Sequence, residues 1–228
     1  MKKSIRSSLF HSEVELSKET VVLSKASVLS YTRRTTMDVY EAIEKRRTIR
    51  IYRKGASEKE LRKIILAASK APSGGNSQPW EFIIIDDPKL IEQFAELKYQ
   101  LNKGYGVKEG DDPKEAEGRA LKQKASFKNA SIVAVCCQEG GASGAWLSIE
   151  NFSLAATADG LGSGIVTYWD RQKLEAERLL NLPEGYELIA IMKIGVPGEE
   201  GFARDKNPVR PGRAEFSWLH RNKFGNKA

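Results

Sequence analysis

The sequence predicts an α/β domain in which a central sheet is covered by helices on both faces. Three observations predict it. Helix-like and strand-like segments alternate along the chain. The strand-like segments at 82–85, 132–137 and 188–194 are continuous apolar runs rather than alternating ones, as expected for strands buried on both faces. A long helix-like stretch at 142–159 carries apolar residues around much of its circumference. A domain of this size buries such a helix at its centre or against a second subunit.

The 228 residues suit one such domain, or one domain with an extension. The chain is long enough to bury a core without disulfide or metal staples. Its formal charge of +7 is unevenly placed. Residues 1–36 carry a net +4 and residues 201–228 a net +5, which leaves the body near −2. A nucleic-acid surface interleaves its basic stripe with aromatics across the fold. Here a local anionic ligand explains the basic ends as well, so no nucleic-acid partner is expected. Cys136 and Cys137 are adjacent in an apolar run and point to opposite faces, so they do not form a disulfide. With His11 and His220 as the only histidines, no zinc spacing exists. No secretory signal and no apolar run of membrane length is visible. The expected setting is a reducing cytoplasm.

In chain order, residues 1–36 mix Ser, Thr, Lys and Glu around Val21-Val22-Leu23 and predict an N-terminal arm. The domain opens at Met37. Val39, Ala42 and Ile43 share a helical face that ends in Lys45-Arg46-Arg47. Ser57 and Glu60 form a capping box ahead of the stripe Leu61, Ile64, Ile65 and Ala68. A turn-rich stretch at 71–80 leads to the strand at 82–85, then a helix at 89–97. Residues 102–118, rich in Gly, Lys and Asp, predict a mobile loop or lid. A helix at 115–127, the strand at 132–137 and the helix at 142–159 follow. Gly160–Gly164 breaks that helix, 165–169 is a strand or extended loop, and a helix at 172–180 precedes the last strand. The tail is rich in Pro and Arg.

Four segments carry candidate chemistry. In Arg46-Arg47-Thr48-Ile49-Arg50, an extended backbone points Arg46, Thr48 and Arg50 the same way. Two guanidiniums and a hydroxyl then make a phosphate clamp. The same residues also suit a solvated helix end. Pro72–Trp80 offers polar groups from Ser73, Asn76 and Gln78, and Gly74-Gly75 permits close backbone approach. A polar connecting loop has the same composition. Gly160–Tyr168 is neither a Walker loop nor a dinucleotide fingerprint. It reads as a helix C-cap, or as backbone lying against a flat ligand. Lys206, Arg210 and Arg213 make the tail basic.

Taken together and in this order, these segments resemble the nitroreductase family of FMN enzymes. Arg46-Arg47-Thr48-Ile49-Arg50 is similar to the family's Arg-Arg-Ser-x-Arg segment, with Thr48 in place of Ser. Pro72-Ser73-Gly74-Gly75-Asn76-Ser77-Gln78-Pro79-Trp80 is similar to its Pro-Ser-x-x-Asn-x-Gln-Pro-Trp signature. The stretch from Trp146 to Ser163, Gly195-Val196-Pro197, and Arg213 to His220 also match family features. The resemblance covers about residues 38–225. It implies an α+β fold with a mostly antiparallel sheet, and a domain-swapped-style homodimer with FMN at the subunit interface. It implies that Arg46, Arg47, Thr48 and Arg50 hold the FMN phosphate, ribityl chain and ring edge, and that Arg213 closes from the tail. Backbone at Ile165, Val166, Thr167 and Tyr168 would lie along the ring. Pro72, Ser73, Gly74 and Asn76 would come from the partner subunit, and Gln123 would add a ring contact. The implied activity is electron transfer from NADH or NADPH through FMN to a small electron-poor acceptor. No catalytic side chain is required, because the cofactor carries the chemistry. Alternatives within flavin chemistry are a reductive dehalogenase or a dehydrogenase on another substrate, and outside it a flavin-binding protein without turnover.

Overall fold

A computed structural model describes residues 37–110, 112–198 and 218–226. The expected arm at 1–36, and Lys206, Arg210 and Arg213, lie outside the described residues. The account that follows is of the unit from Met37 onward.

Helix α1 (Val39–Lys45) starts where the Asp38 carboxylate accepts from the Glu41 amide at 2.9 Å. Strand β1 (Tyr52–Gly55) and helix α2 (Glu58–Ala68) follow. The expected capping box is present: the Ser57 amide donates to Glu60 Oε2 at 2.7 Å, and the Glu60 amide to Ser57 Oγ at 3.4 Å. A 3-10 turn at Gly74–Asn76 leads into strand β2 (Trp80–Ile85). Next come helices α3 (Pro88–Lys108) and α4 (Pro113–Ala125), strand β3 (Ser131–Gln138) and helix α5 (Ala142–Ala158). Strand β4 (Gly162–Val166), helix α6 (Asp170–Leu179) and strand β5 (Tyr186–Pro197) complete the fold.

The five strands form one sheet whose pairings between named strands are all antiparallel. β5 organises it. β3 pairs with β5 from Ser131–Ile194 to Gln138–Tyr186, and β2 pairs with the far side of β3. β4 pairs with the other edge of β5, from Gly162–Gly195 to Val166–Ile191. β1 pairs with the end of β5, where Gly55 also faces Gly195. Gly195 is therefore flanked by backbone on both edges. A Cβ there would stand 2.3 Å from the Lys54 carbonyl oxygen, which is why this position takes glycine.

Both faces of the sheet are covered, as the continuous apolar runs predict. On one face, Val133, Val135 and Cys137 of β3 with Ala190, Met192 and Ile194 of β5 pack under α2 and α5. On the other, Ile132, Ala134 and Cys136 with Leu188 and Ile191 pack under α3 and α6. Cys136 and Cys137 are fully buried, unbonded and on opposite faces. Burial and neighbouring charge push the Cys136 thiol up to about 12. No helix among the described residues is long and apolar enough to cross a membrane.

Two expectations are corrected, one strand was not foreseen, and one helix shows its burial only in part. Residues 102–118 are not a loop: α3 runs on to Lys108, and α4 begins at Pro113 behind an Asp112 cap. Asp112 Oδ1 accepts from the Lys114 amide at 2.9 Å, with proline at the first helical position. The low apolar content reflects a helical hairpin clasped by polar pairs. Glu117 accepts from the Tyr99 hydroxyl and pairs with Lys103 at 2.6 Å. The strand expected at 165–169 starts earlier, at Gly162, and ends at Val166. β1 went unread because Tyr52-Arg53-Lys54-Gly55 contains no apolar run. Finally, within its own chain α5 is buried along one side. Ile149, Phe152 and Ala156 are in the core, while Trp146 and Leu147 are exposed.

Substituting Gly195→Ala is expected to destabilise the domain by about 1–3 kcal/mol or more, because the new methyl overlaps fixed backbone. Gly118→Ala, which meets nothing within 4 Å, is the control. It should match wild type or gain up to about 1 kcal/mol as a helical alanine. Urea unfolding followed by tryptophan fluorescence distinguishes the two.

Candidate active site

The site is built where the segment between α1 and β1 crosses β4. The Ile49 amide donates to the Ser163 carbonyl at 2.8 Å, and Thr48 forms a parallel bridge with Ser163. Ile49 is buried and sits directly on two glycines. A Cβ on Gly162 would meet Ile49 Cγ1 at 2.4 Å, and one on Gly164 would meet the Ile49 carbonyl at 2.5 Å. These glycines thus admit the chain's own Ile49. Gly160 has a separate task. At φ +76° it closes a Schellman cap on α5, with the Leu161 amide donating to Ala156 and the Gly160 amide to Thr157. Beyond Ile49, the Tyr52 hydroxyl donates to the Ile49 carbonyl at 2.8 Å and locks the turn into β1.

This crossing fixes Thr48 and Arg50 on the wall of a cavity of about 400 Å3. The end of β4 supplies Ile165 and Thr167, and α4 supplies Gln123 and Arg119. Asn102, Tyr105 and Lys98 enter from α3, Trp169 from the start of α6, and Lys193 from β5. Five of the residues singled out in the sequence therefore converge: Thr48, Arg50, Gln123, Ile165 and Thr167. Val166 and Tyr168 alternate with them and point into the core, where the Tyr168 hydroxyl donates to the Phe94 carbonyl at 2.7 Å. At these two positions only backbone is available to the cavity.

Arg46 and Arg47 are not on the cavity wall. Arg46 Nε lies 3.8 Å from the Glu150 carboxylate on α5, and Arg47 Nη1 donates to the Arg46 carbonyl at 2.8 Å. The loop at 72–78 also lies elsewhere. Pro72, Gly74 and Asn76 are exposed and Ser73 is half-buried, its hydroxyl accepting from the Gln78 amide at 2.9 Å. The loop rests on the start of α5, where a Cβ at Gly141 would meet Pro79 at 2.6 Å.

The sequence reading missed Lys98 and Lys193, which are 7% and 1% exposed. Lys98 Nζ donates to the Thr167 carbonyl at 3.0 Å and sits 4.7 Å above the Trp169 ring. Lys193 Nζ donates to the Ser126 hydroxyl and lies 5.3 Å from the Phe127 ring. Among the described residues no carboxylate pairs with either lysine. Burial holds Lys98 down at about 8; burial, helped by Arg50 and Lys98, holds Lys193 down at about 7. A signal existed: Lys193 is a charge in the middle of an apolar strand.

Arg50 and Arg119 make the lining cationic, Lys98 and Lys193 add two amines whose burial eases loss of their protons, and no acid among the described residues joins it. Such a lining fits an anionic ligand. Among the described residues no group of three or more His, Cys, Asp or Glu is placed to hold a metal.

Comparison with known proteins settles the family. The nitroreductase family model matches residues 43–196. The chain belongs to the nitroreductase family. Its enzyme class is accordingly that of an FMN-dependent oxidoreductase. This nitroreductase-family protein is 31% identical to the iodotyrosine deiodinase of Thermotoga neapolitana, over 75% of this chain and 95% of that one. It is 30% identical to an NADH dehydrogenase of Thermus thermophilus, over 76% and 93%. A crystal structure of oxidised iodotyrosine deiodinase bound to FMN and 3-iodo-L-tyrosine superposes with a TM-score of 0.61 at 28% identity. It covers 78% of this chain and all of that one. The cationic lining, containing Thr48 and Arg50 of the family's arginine segment, fits FMN.

The two depressed lysines set a pH dependence for the nitroreductase-family fold. Each binds its proton less readily folded than unfolded, where lysine titrates near 10.5. Between about pH 7 and 10 the unfolded chain holds more protons, so stability rises with pH in that window and is lost toward about pH 7. In flavin-free protein the unfolding midpoint should rise from about pH 7 to about pH 9, and Lys193→Met should flatten that rise.

Proposed function

We propose that this protein holds FMN in the cavity at the end of β4, takes electrons from NADH or NADPH, and passes them to a small electron-poor acceptor such as a nitroaromatic or quinone. One observation carries the reading. Thr48, Arg50, Gln123, Ile165 and Thr167, drawn from three separate segments, meet on one cation-lined cavity. FMN bound there supplies the redox chemistry.

The chain's own residues supply position and charge. Arg50 offers forked donors, and Thr48 a hydroxyl, to the cofactor's polar edge. Arg46, Arg47 and Arg213 are assigned to the phosphate end. Lys98 holds the Thr167 carbonyl and so fixes the backbone that flanks the ring. Tyr105 and Trp169 meet edge to face at 5.8 Å and give a flat acceptor an aromatic wall. Donor and acceptor would use the one opening in turn, which predicts ping-pong kinetics.

A homodimer completes the site in this reading. Pro72, Ser73, Gly74 and Asn76 stand on a loop away from the cavity of their own chain and would cover the flavin of a partner. Exposed Val39, Tyr40 and Ile43 on α1, with Trp146 and Leu147 on α5, support such an interface. The expected cytoplasmic setting accords with two unpaired cysteines. Reductive dehalogenation is the second reading, favoured by the similarity to iodotyrosine deiodinase in sequence and in structure and by Tyr105 of α3 at the cavity.

Visible absorbance of the purified protein should show two flavin bands that bleach when NADH or NADPH is added under nitrogen. Arg50→Ala should weaken FMN binding by about tenfold or more, the loss of a charge-assisted contact. A colourless protein that takes up no added FMN would overturn the reading. Iodide release from 3-iodotyrosine, without nitroaromatic turnover, would select the second one.

A further inference from the structure

Lys193 is hard to explain as a structural residue. It interrupts an apolar strand, is 1% exposed, and its ammonium meets a neutral hydroxyl rather than a carboxylate. A buried ammonium without a counterion is costly. An aliphatic side chain would serve the core better.

The groups facing it come from every neighbouring element. Arg50 lies before β1, and the Tyr52 hydroxyl reaches the Lys193 carbonyl at 3.3 Å, its own titration pushed up by burial. Lys98 faces it from α3. Gln123 and Arg119 come from α4, and Ser126 and Phe127 from the turn after it. From β4 and its end come Gly164, whose Cβ would stand 3.4 Å from Lys193 Cε, and the uncharged Ile165 and Thr167 on the same cavity wall. All the charged groups in this set are cations, so Lys193 is poised to lose its proton until negative charge arrives beside it. Its value near 7 is consistent with that.

We propose that Lys193 is the redox-linked proton acceptor of this cavity, taking a proton from solvent when the flavin beside it is reduced to an anion. The inference rests on the FMN reading above and goes beyond it. The balance is simple. The flavin gains two electrons and one proton and carries one negative charge on its ring, and neutral Lys193 gains one proton and carries one positive charge. On reoxidation both protons leave. Lys193 acts here through charge, not by touching the acceptor. Lys98 is less suited, because its Nζ is committed to the Thr167 carbonyl and the Trp169 face.

The test uses the holoenzyme and its Lys193→Met and Lys193→Arg variants. The midpoint potential of bound FMN is measured against a reference dye from about pH 6 to about pH 9. Wild type should show a steeper fall with pH above about 7 than the Met variant, as linkage requires for one added proton. The preference for reduced over oxidised flavin should drop by about tenfold or more in the Met variant, the equivalent of one pKa unit. Lys193→Arg, always charged, should restore that preference without the added pH dependence. In wild type alone, reduction by NADH under nitrogen in weak buffer at about pH 8 should take up close to one proton per flavin reduced, read with a pH indicator, because the flavin's own proton arrives with the hydride and the other goes to Lys193.

Equal pH dependence in wild type and variants, with flavin bound in each, would overturn the proposal and leave the FMN reading intact. So would the absence of net proton uptake when wild type is reduced by NADH, even if both variants failed to hold flavin. A wild type that binds no flavin would instead overturn the FMN reading and this inference with it.

Discussion

The architecture of the site depends on one close approach, that of Ile49 to β4. The backbone of 48–50 can lie on β4 only because residues 162 and 164 lack a Cβ. The Ile49-to-Ser163 hydrogen bond then fixes the segment's height and direction. Thr48 and Arg50, one residue to either side of the buried isoleucine, are turned together toward the cavity. A few tenths of an ångström added at either glycine would move both. A core contact and a stretch of cavity wall are thus alternate side chains of the same short extended segment.

That arrangement explains which parts of the site were legible in the sequence. Period-two spacing predicted one direction for Arg46, Thr48 and Arg50; Thr48 and Arg50 take it, while Arg46 is the C-cap of α1 and stays off the cavity wall. The same alternation explains why Ile165 and Thr167 line the cavity while Val166 and Tyr168 fill the core. Both layers of the sheet were readable from apolar runs, since strands buried on two faces have no polar alternation to hide them. Local caps were readable too, because Ser57 and Glu60 satisfy each other within one turn.

What escaped was set by distance along the chain. β1 exists because β5 is there to pair with it, and its own four residues carry no strand signal. The helical hairpin at 102–118 looked like a loop because it is held by polar clasps between α3 and α4 rather than by a continuous apolar stripe. Lys98 and Lys193 are far apart in sequence, on a helix and a strand, and meet only at the cavity. The Gly-rich turn at 160–164 was read with its ligand-facing alternative open. Its glycines are accounted for by a helix cap and by Ile49. The arginines divide as well: Arg50 reaches the cavity, while Arg46 and Arg47 are held near α1 and α5.

The adjacent cysteines have a practical meaning. Cys136 lies in the layer beneath α3 and α6, and Cys137 in the layer beneath α2 and α5. Their thiols are one residue apart in sequence yet separated by the thickness of a β-strand. Both are sealed from reagents in the closed fold. Alkylation at one sulfur but not the other would therefore record which side of the sheet had shed its helices. The chain carries, in the thiols of two consecutive residues, a separate clock for the opening of each half of its interior.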